Sequence, residues 1–162
     1  MNRKAITEEL SYLTEKHINP RNDTRVYWAK EVTFNYGTKN QVRVDYMVFK
    51  PINNTVSGIE HGDFYCYEIK SSVEDFHSKN GHNFIGDYNY YVMPMEVYDK
   101  VKNEIPYGIG VYVPYIDDSN VKHLTFVEVP KRHNREKSLA EILLMMFRSA
   151  NREIKNIRRS DL

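Results

Sequence analysis

Two short stretches of the 162-residue chain carry carboxylates and a lysine in a pattern that suits phosphodiester hydrolysis. Asp45 follows the alternating Val-Arg-Val of residues 42–44, and one residue separates Glu68 from Lys70. In a β-strand, residues two apart project from the same face, so Glu68 and Lys70 point together. Two converging carboxylates form a hard oxygen site that suits Mg²⁺ or Mn²⁺. A lysine beside them can orient water or stabilise negative charge on the phosphate.

The same three side chains also have a simpler interpretation. Acids and lysines are common, and a cross-strand ion pair on a sheet surface would need no catalytic role. The surrounding residues favour a functional site, because Asp45, Glu68 and Lys70 lie within apolar strand patterns. Both interpretations require that the strand of Asp45 pairs with the strand of Glu68.

The elements that position these residues follow from hydrophobic periodicity. Periodicity predicts helices over residues 5–17, 95–102 and 138–157, with strands over residues 26–34, 41–49, 64–70, 88–93, 109–113 and 124–129. Residues 35–40 form the turn of a hairpin, and two overlapping capping boxes in Ser71–Asp75 predict the start of another helix. The order α-β-β-β-α-β-α-β-β-α has three strands before the first crossover helix. It predicts an α/β protein with a mixed central sheet.

Alternation along the second strand predicts which of its residues share a face. Asp45 should lie with Arg43 and Met47 on one face. The opposite face should carry the apolar residues Val42, Val44, Tyr46 and Val48. The third strand has apolar groups on both faces, which is typical of a central strand.

This arrangement resembles the restriction-endonuclease-like, or PD-(D/E)XK, superfamily, whose core has the order α-β-β-β-α-β flanked by helices. More narrowly, Glu-Ile-Lys-Ser-Ser-Val-Glu-Asp-Phe at residues 68–76, followed by Asp87-Tyr88, is similar to a stretch of MmcB-like DNA repair proteins. The close similarity spans roughly residues 42–93. The chain departs from the superfamily motif at Val44, where a proline gives the motif its name.

The resemblance implies a single nuclease-like domain over residues 1–162 that acts on DNA. Asp45, Glu68 and Lys70 would be its catalytic residues, and the two acids would bind Mg²⁺ or Mn²⁺. Further site residues implied by the superfamily are an acid of the first helix, Glu9 or Glu8, and the motif residues Asp87 and Tyr88.

The last 32 residues carry a concentrated positive charge. Residues 131–162 hold nine Lys or Arg residues against four acids, whereas the whole chain has a net charge of +1. A basic terminal element is suited to contacts with DNA phosphates, and the nominated residues are Arg152, Lys155, Arg158 and Arg159. The alternative is a solvated amphipathic helix that closes the fold.

Composition limits the class of protein and its compartment. Hydrophobic residues make up 41% and charged residues 28% of the chain, as in globular proteins. No apolar run approaches the roughly 18 residues that span a bilayer, and no signal-peptide core follows Met1. Cys66, the single cysteine, has no disulfide partner within the chain. We therefore expect a cytoplasmic protein without a membrane segment.

Three functions remain open from the sequence. The first is a metal-dependent endonuclease, with DNA repair as its setting. The second is a catalytically inactive nuclease-fold module that binds nucleic acid or a protein partner. The third is a structural or interaction protein without a bound metal. Intact Asp45, Glu68 and Lys70 favour the first, because a binding module has no physical need for apposed carboxylates near DNA phosphates.

Overall fold

One six-stranded sheet organises the protein, as seen in a computed structural model that describes residues 2–161. The strands are β1 (Tyr27–Phe34), β2 (Val42–Lys50), β3 (Asp63–Ile69), β4 (Tyr88–Val92), β5 (Gly110–Ile116) and β6 (Lys122–Glu128). They lie side by side in chain order. The β3–β4 and β4–β5 pairs are parallel and the other three pairs are antiparallel. The predicted mixed α/β fold, with β3 inside the sheet, is confirmed.

Five helices within residues 2–161 flank this sheet. They are α1 (Arg3–Ile18), α2 (Val56–Glu60), α3 (Val73–Phe76), α4 (Met95–Val101) and α5 (Leu139–Ser160), and a 3-10 turn follows α4 at Lys102–Glu104. Every predicted element is present, with ends shifted by at most three residues. Helix α2 was not predicted, because it is a five-residue helix within a polar connection. None of the helices in residues 2–161 is both long enough and apolar enough to cross a bilayer.

The helices divide between the two faces of the sheet. On one face, Leu10 and Leu13 of α1 pack against β2, β3 and β4. On the other face, Ile142 and Met146 of α5 pack against β1, β2 and β3. Helix α4 packs on β4 and β5 in a separate cluster around Tyr91. The parallel strands are therefore covered on both faces, as such strands usually are.

The prediction of regular alternation along β2 is wrong at Asp45. Val44 and Met47 both pack on the α5 side, whereas Tyr46 packs on the α1 side. The β1–β2 register places Glu31 opposite Asp45, and Glu31 has a left-handed φ of 52°. This conformation is uncommon for a residue other than glycine, and it marks a local irregularity of the strand pair. The side chains of β2 therefore switch faces where Asp45 lies.

Candidate functional site where strands β2 and β3 separate

Asp45 lies at a fork between two antiparallel strands. The pairing of β2 with β3 runs from Lys50–Asp63 to Tyr46–Tyr67 and ends there. Asp45 is the next residue of β2, and its Oδ2 accepts the backbone N–H of Ile69 at 2.8 Å. The two strands are no longer paired at this point, so the N–H of Ile69 has no backbone carbonyl of β2 to bind. The Asp45 carboxylate serves as its acceptor instead.

Glu68 lies on β3 opposite Asp45 if the β2–β3 register is continued by one residue. Its side chain is 4% exposed. Oε1 of Glu68 accepts a hydrogen bond of 3.2 Å from Nδ2 of Asn83, which also donates to the carbonyl of Arg43 at 3.0 Å. A loop residue therefore bridges the two strands beyond their last pair. The structure brings Asp45 and Glu68 together at one end of the β2–β3 ladder.

Lys70 follows β3 directly and is only 2% exposed. Its ammonium donates to the carbonyl of Asp75 at 3.3 Å and to the carbonyl of Asn80. Gly81 packs against this lysine with a left-handed φ of 73°, and a Cβ there would lie 2.8 Å from Nζ. The left-handed backbone conformation favours glycine at this position. Lys70 therefore lies beside Glu68 under the residues that follow α3.

Burial dominates the electrostatics of the three groups. It raises the pKa of Glu68 to about 8, with a further contribution from the negative charge of Asp45. Burial also raises the pKa of Asp45, against the hydrogen bond from Ile69 and the charge of Arg43. The pKa of Lys70 is lowered by burial, although the neighbouring carboxylates oppose the change. Two carboxylates that resist ionising together would gain from a cation between them.

The two carboxylates are compatible with a hard cation. Each one accepts few hydrogen bonds from the protein, and a carboxylate offers about four acceptor positions. Within residues 2–161, no three His, Cys, Asp or Glu side chains group closely enough to hold a metal on their own. Mg²⁺ commonly keeps several waters and takes only one or two protein carboxylates. The residues present therefore fit a partly hydrated Mg²⁺ or Mn²⁺.

The nominated acids of α1 do not join this pair. Glu9 forms an ion pair with Lys122 of β6, at the far edge of the sheet. Glu8 lies 3.9 Å from Lys4 on the same helix, and its side chain is mostly exposed. Helix α1 packs on the face opposite to α4 and α5, which accounts for this separation.

Asp87 lies at the other end of the sheet from Glu68. Glu68 is opposite Tyr91 in the parallel β3–β4 pairing. Asp87 is four positions earlier, about 13 Å away at ~3.3 Å per residue. Because β3 and β4 are parallel, a residue before β4 cannot lie near one at the end of β3. The spacing of the motif in the sequence does not show whether β3 and β4 run parallel or antiparallel.

Asp87 is buried and Tyr88 is half-buried, and both make structural contacts at the start of β4 instead. Asp87 accepts the backbone N–H of Phe64 at 2.8 Å and the Nε–H of Arg135 at 2.9 Å. Tyr88 stacks on Tyr65 with ring centroids 5.0 Å apart. These contacts attach the start of β4 and the segment before α5 to the sheet. They give both residues a structural role, away from the catalytic site in which they were predicted.

The nominated cations of α5 are exposed, and the helix passes close to the fork. Arg152 donates to the backbone carbonyl of Glu31 at 2.8 Å, and Glu31 lies opposite Asp45 in the β1–β2 register. Lys155, Arg158 and Arg159 follow on the exposed last turns. The basic end of α5 thus extends from the edge of the sheet nearest to Asp45.

Two residues of the site were missed from the sequence. Asn83 contacts Glu68, and Arg43 lies next to Asp45 with its side chain 59% exposed. Arg43 was placed on the strand without a role. Asn83 could not be identified from the sequence, because nothing in the sequence shows which polar residue of this loop will contact the strand.

Comparison with known proteins shows the fold alone. The chain is similar to a solved structure described as the SPO1766 protein of unknown function from Silicibacter pomeroyi, with a TM-score of 0.58 and 17% sequence identity. That similarity covers 97% of this chain and 90% of the other. No family model matches the sequence, and no curated protein matches it. The assignment of activity therefore depends on the site itself.

Proposed function

We propose that this protein is a metal-dependent nuclease with a restriction-endonuclease-like core, and that it hydrolyses phosphodiester bonds in DNA. One observation carries the proposal: Asp45 and Glu68 lie opposite each other where β2 and β3 separate, with Lys70 two residues further along. Ionisable groups withdrawn from water in this way cost free energy unless they are fully paired, and groups perturbed in this way cluster at functional sites. The similarity of residues 68–76 to MmcB-like proteins supports DNA repair in the cytoplasm as the setting.

Each residue has a distinct role in this proposal. Asp45 and Glu68 would hold Mg²⁺ or Mn²⁺, which when bound supplies a water of lowered pKa and offsets charge on the phosphate. Lys70 would place a fixed positive charge beside the scissile phosphate. Glu68 and Lys70 are covered, whereas Asp45 is partly exposed. The substrate would therefore approach from the side of Asp45.

Positive charge on this side of the molecule supports DNA as the substrate. Arg43 is exposed next to Asp45 and lies 3.8 Å from the Glu31 carboxylate, and Arg152 donates to the backbone carbonyl of the same Glu31. Lys155, Arg158 and Arg159 are also exposed, on the turns of α5 that follow Arg152. Such contacts bind phosphates and carry no base readout, so they predict binding without strong sequence preference.

A second function is favoured by the surroundings of Lys70. Its ammonium already donates to two backbone carbonyls, and the side chain is nearly excluded from solvent. A lysine used only to hold the residues after α3 would have the same contacts. The alternative is therefore a nuclease-fold module that binds nucleic acid or a protein partner without cleaving a substrate.

Metal titration combined with a plasmid-nicking assay separates the two functions. For a nuclease, Lys70→Ala should leave Mn²⁺ affinity nearly unchanged and remove most cleavage, because the lysine is not a metal ligand. Asp45→Asn should weaken Mn²⁺ binding and cleavage together, since an amide is a poorer ligand for a hard cation. Lys79→Ala, at an exposed lysine nearby, is the control and should match the wild type. A wild-type protein that neither binds Mn²⁺ nor cuts DNA would contradict the nuclease and favour the binding module.

A further inference from the structure

Asn83 donates hydrogen bonds to two oxygens, one on each side of the fork. Its Nδ2 donates to Oε1 of Glu68 on β3 and to the backbone carbonyl of Arg43 on β2. Both partners are acceptors, so the NH₂ end of the amide must face them. Within residues 2–161, this is the only side-chain hydrogen bond that Glu68 receives. Asn83 is therefore the side chain that orients the Glu68 carboxylate, beside a contact of that carboxylate with the backbone of Asp45.

The neighbours of Asn83 fix its position. The His82 ring is hydrogen-bonded through both nitrogens, to the Tyr91 hydroxyl at 2.6 Å and to the Phe76 carbonyl at 2.9 Å. Phe84 has a left-handed φ of 47°, which is strained for a bulky residue. Strain of this kind persists where the surrounding contacts determine the backbone, and it is common at functional sites. The loop therefore presents the Asn83 amide in one place.

We propose that Asn83 is a positioning residue of the metal site, which aims the Glu68 carboxylate at the cation shared with Asp45. This inference rests on the proposed metal-dependent function. A carboxylate oxygen has more than one lone pair, so the Asn83 hydrogen bond and a bound cation can coexist. Partners of this kind fix the geometry of metal ligands, and their loss typically weakens metal binding 10–100-fold.

Asn80 provides a matched control in the same loop. It reaches Lys70 through its backbone carbonyl, which a side-chain substitution leaves in place. Its side chain is exposed, and no side-chain hydrogen bond of Asn80 is present in the described part of the chain. Asn80→Ala thus removes the same side chain from the same loop without touching Glu68.

The test is calorimetric Mn²⁺ titration of the full chain and three variants, with urea unfolding to establish that each is folded. Asn83→Ala should raise the Kd for Mn²⁺ by about tenfold or more. Asn83→Ser, whose single hydroxyl can donate to one of the two acceptors, should lie between Ala and the wild type. Asn80→Ala should bind Mn²⁺ as the wild type does.

Each outcome has a distinct meaning. An unchanged Kd for a folded Asn83→Ala protein would overturn the inference, and Asn83 would then only connect the loop to the strands. Tighter binding would also overturn it, because Asn83 would then be a latch that the cation displaces. A wild type that binds no Mn²⁺ would overturn both this inference and the proposed function. Ordered Mn²⁺ affinities without DNA cleavage would support Asn83 while ending the nuclease proposal.

Discussion

Oδ2 of Asp45 lies 2.8 Å from the backbone nitrogen of Ile69, and this hydrogen bond joins β2 to β3 where their pairing ends. The carboxylate therefore has a structural partner in addition to its proposed cation. A structural contact and a ligand role make different demands on the side chain. The contact needs an oxygen acceptor, whereas the cation needs negative charge.

Two substitutions at Asp45 separate these demands. Asp45→Ala should lower the free energy of unfolding by about 1–3 kcal/mol, because the N–H of Ile69 loses its acceptor. Asp45→Asn keeps an oxygen acceptor and removes a charge near Glu68, so its stability should equal or exceed that of the wild type. Urea unfolding in EDTA measures both. Equal stability of the Ala and wild-type proteins would contradict the structural part of the account.

The raised pKa of Glu68 predicts a pH-dependent stability. Below pH 4.5, the ordinary pKa of this carboxyl, Glu68 is protonated in both the folded and unfolded states. As the pH rises towards about 8, the unfolded chain releases this proton and the folded protein keeps it. Stability contributed by the neutral carboxyl is therefore present at low pH and is lost as the pH rises through that range.

Glu68→Gln isolates this effect, because the amide cannot ionise and the other titrating groups are shared. Compared with the wild type at pH 4.5, the variant should be similar in stability. At pH 8.5 it should be more stable by up to about 5 kcal/mol, since the pKa of Glu68 is raised from 4.5 to about 8 and one pKa unit corresponds to about 1.4 kcal/mol. Urea unfolding of both proteins in EDTA across this pH range is the measurement. A constant difference between them would show that Glu68 ionises normally.

Asp87 should affect stability and leave the metal site intact. Asp87→Ala removes the acceptor of the Phe64 N–H and leaves Arg135, a largely buried cation, without its partner. Breaking such a buried pair typically costs about 3–5 kcal/mol. Mn²⁺ affinity of the folded variant should equal that of the wild type. A stable Asp87→Ala protein that no longer binds Mn²⁺ would restore Asp87 to the site.

The basic end of α5 should set the salt dependence of DNA binding. We expect a quadruple Ala variant of Arg152, Lys155, Arg158 and Arg159 to bind DNA more weakly. The slope of log K against log salt should fall in magnitude by up to about 3.6, because each of four phosphate contacts contributes about 0.9. Fluorescence anisotropy at several salt concentrations gives the slope. A control lacking four exposed lysines elsewhere (Lys4, Lys16, Lys39 and Lys100) should keep it, and equal slopes in the two variants would assign α5 to packing.

The elements of this fold could be predicted because they depend on local periodicity. Residues 138–157 predicted the main length of α5, and the apolar stretch around Glu68 predicted an inner strand of the sheet. The capping pattern predicted the start of α3, where Ser72 accepts the N–H of Asp75. Helix α2 was missed because five residues are too few to show a helical period.

The candidate site was predictable only in part. Glu68 and Lys70 follow from their spacing along the chain, and Asp45 from its place on the preceding strand, β2. The prediction that Asp87 joins the site was wrong. Because β4 runs parallel to β3, its start lies far from Glu68, and the sequence does not show that direction. Asn83 reaches Glu68 from a loop whose path depends on His82 and Phe84. Contacts of this kind arise from tertiary structure and have no sequence period.

The central claim is that Asp45 and Glu68 share one divalent cation. Crystals of the wild-type protein soaked in Mn²⁺ test it directly, through anomalous scattering at the manganese edge. The account predicts one strong peak between the two side chains, about 2.1 Å from a carboxylate oxygen of each. The same peak should be absent from Asp45→Asn crystals soaked in parallel. Wild-type crystals with no peak there, or with manganese bound only at other carboxylates, would contradict it.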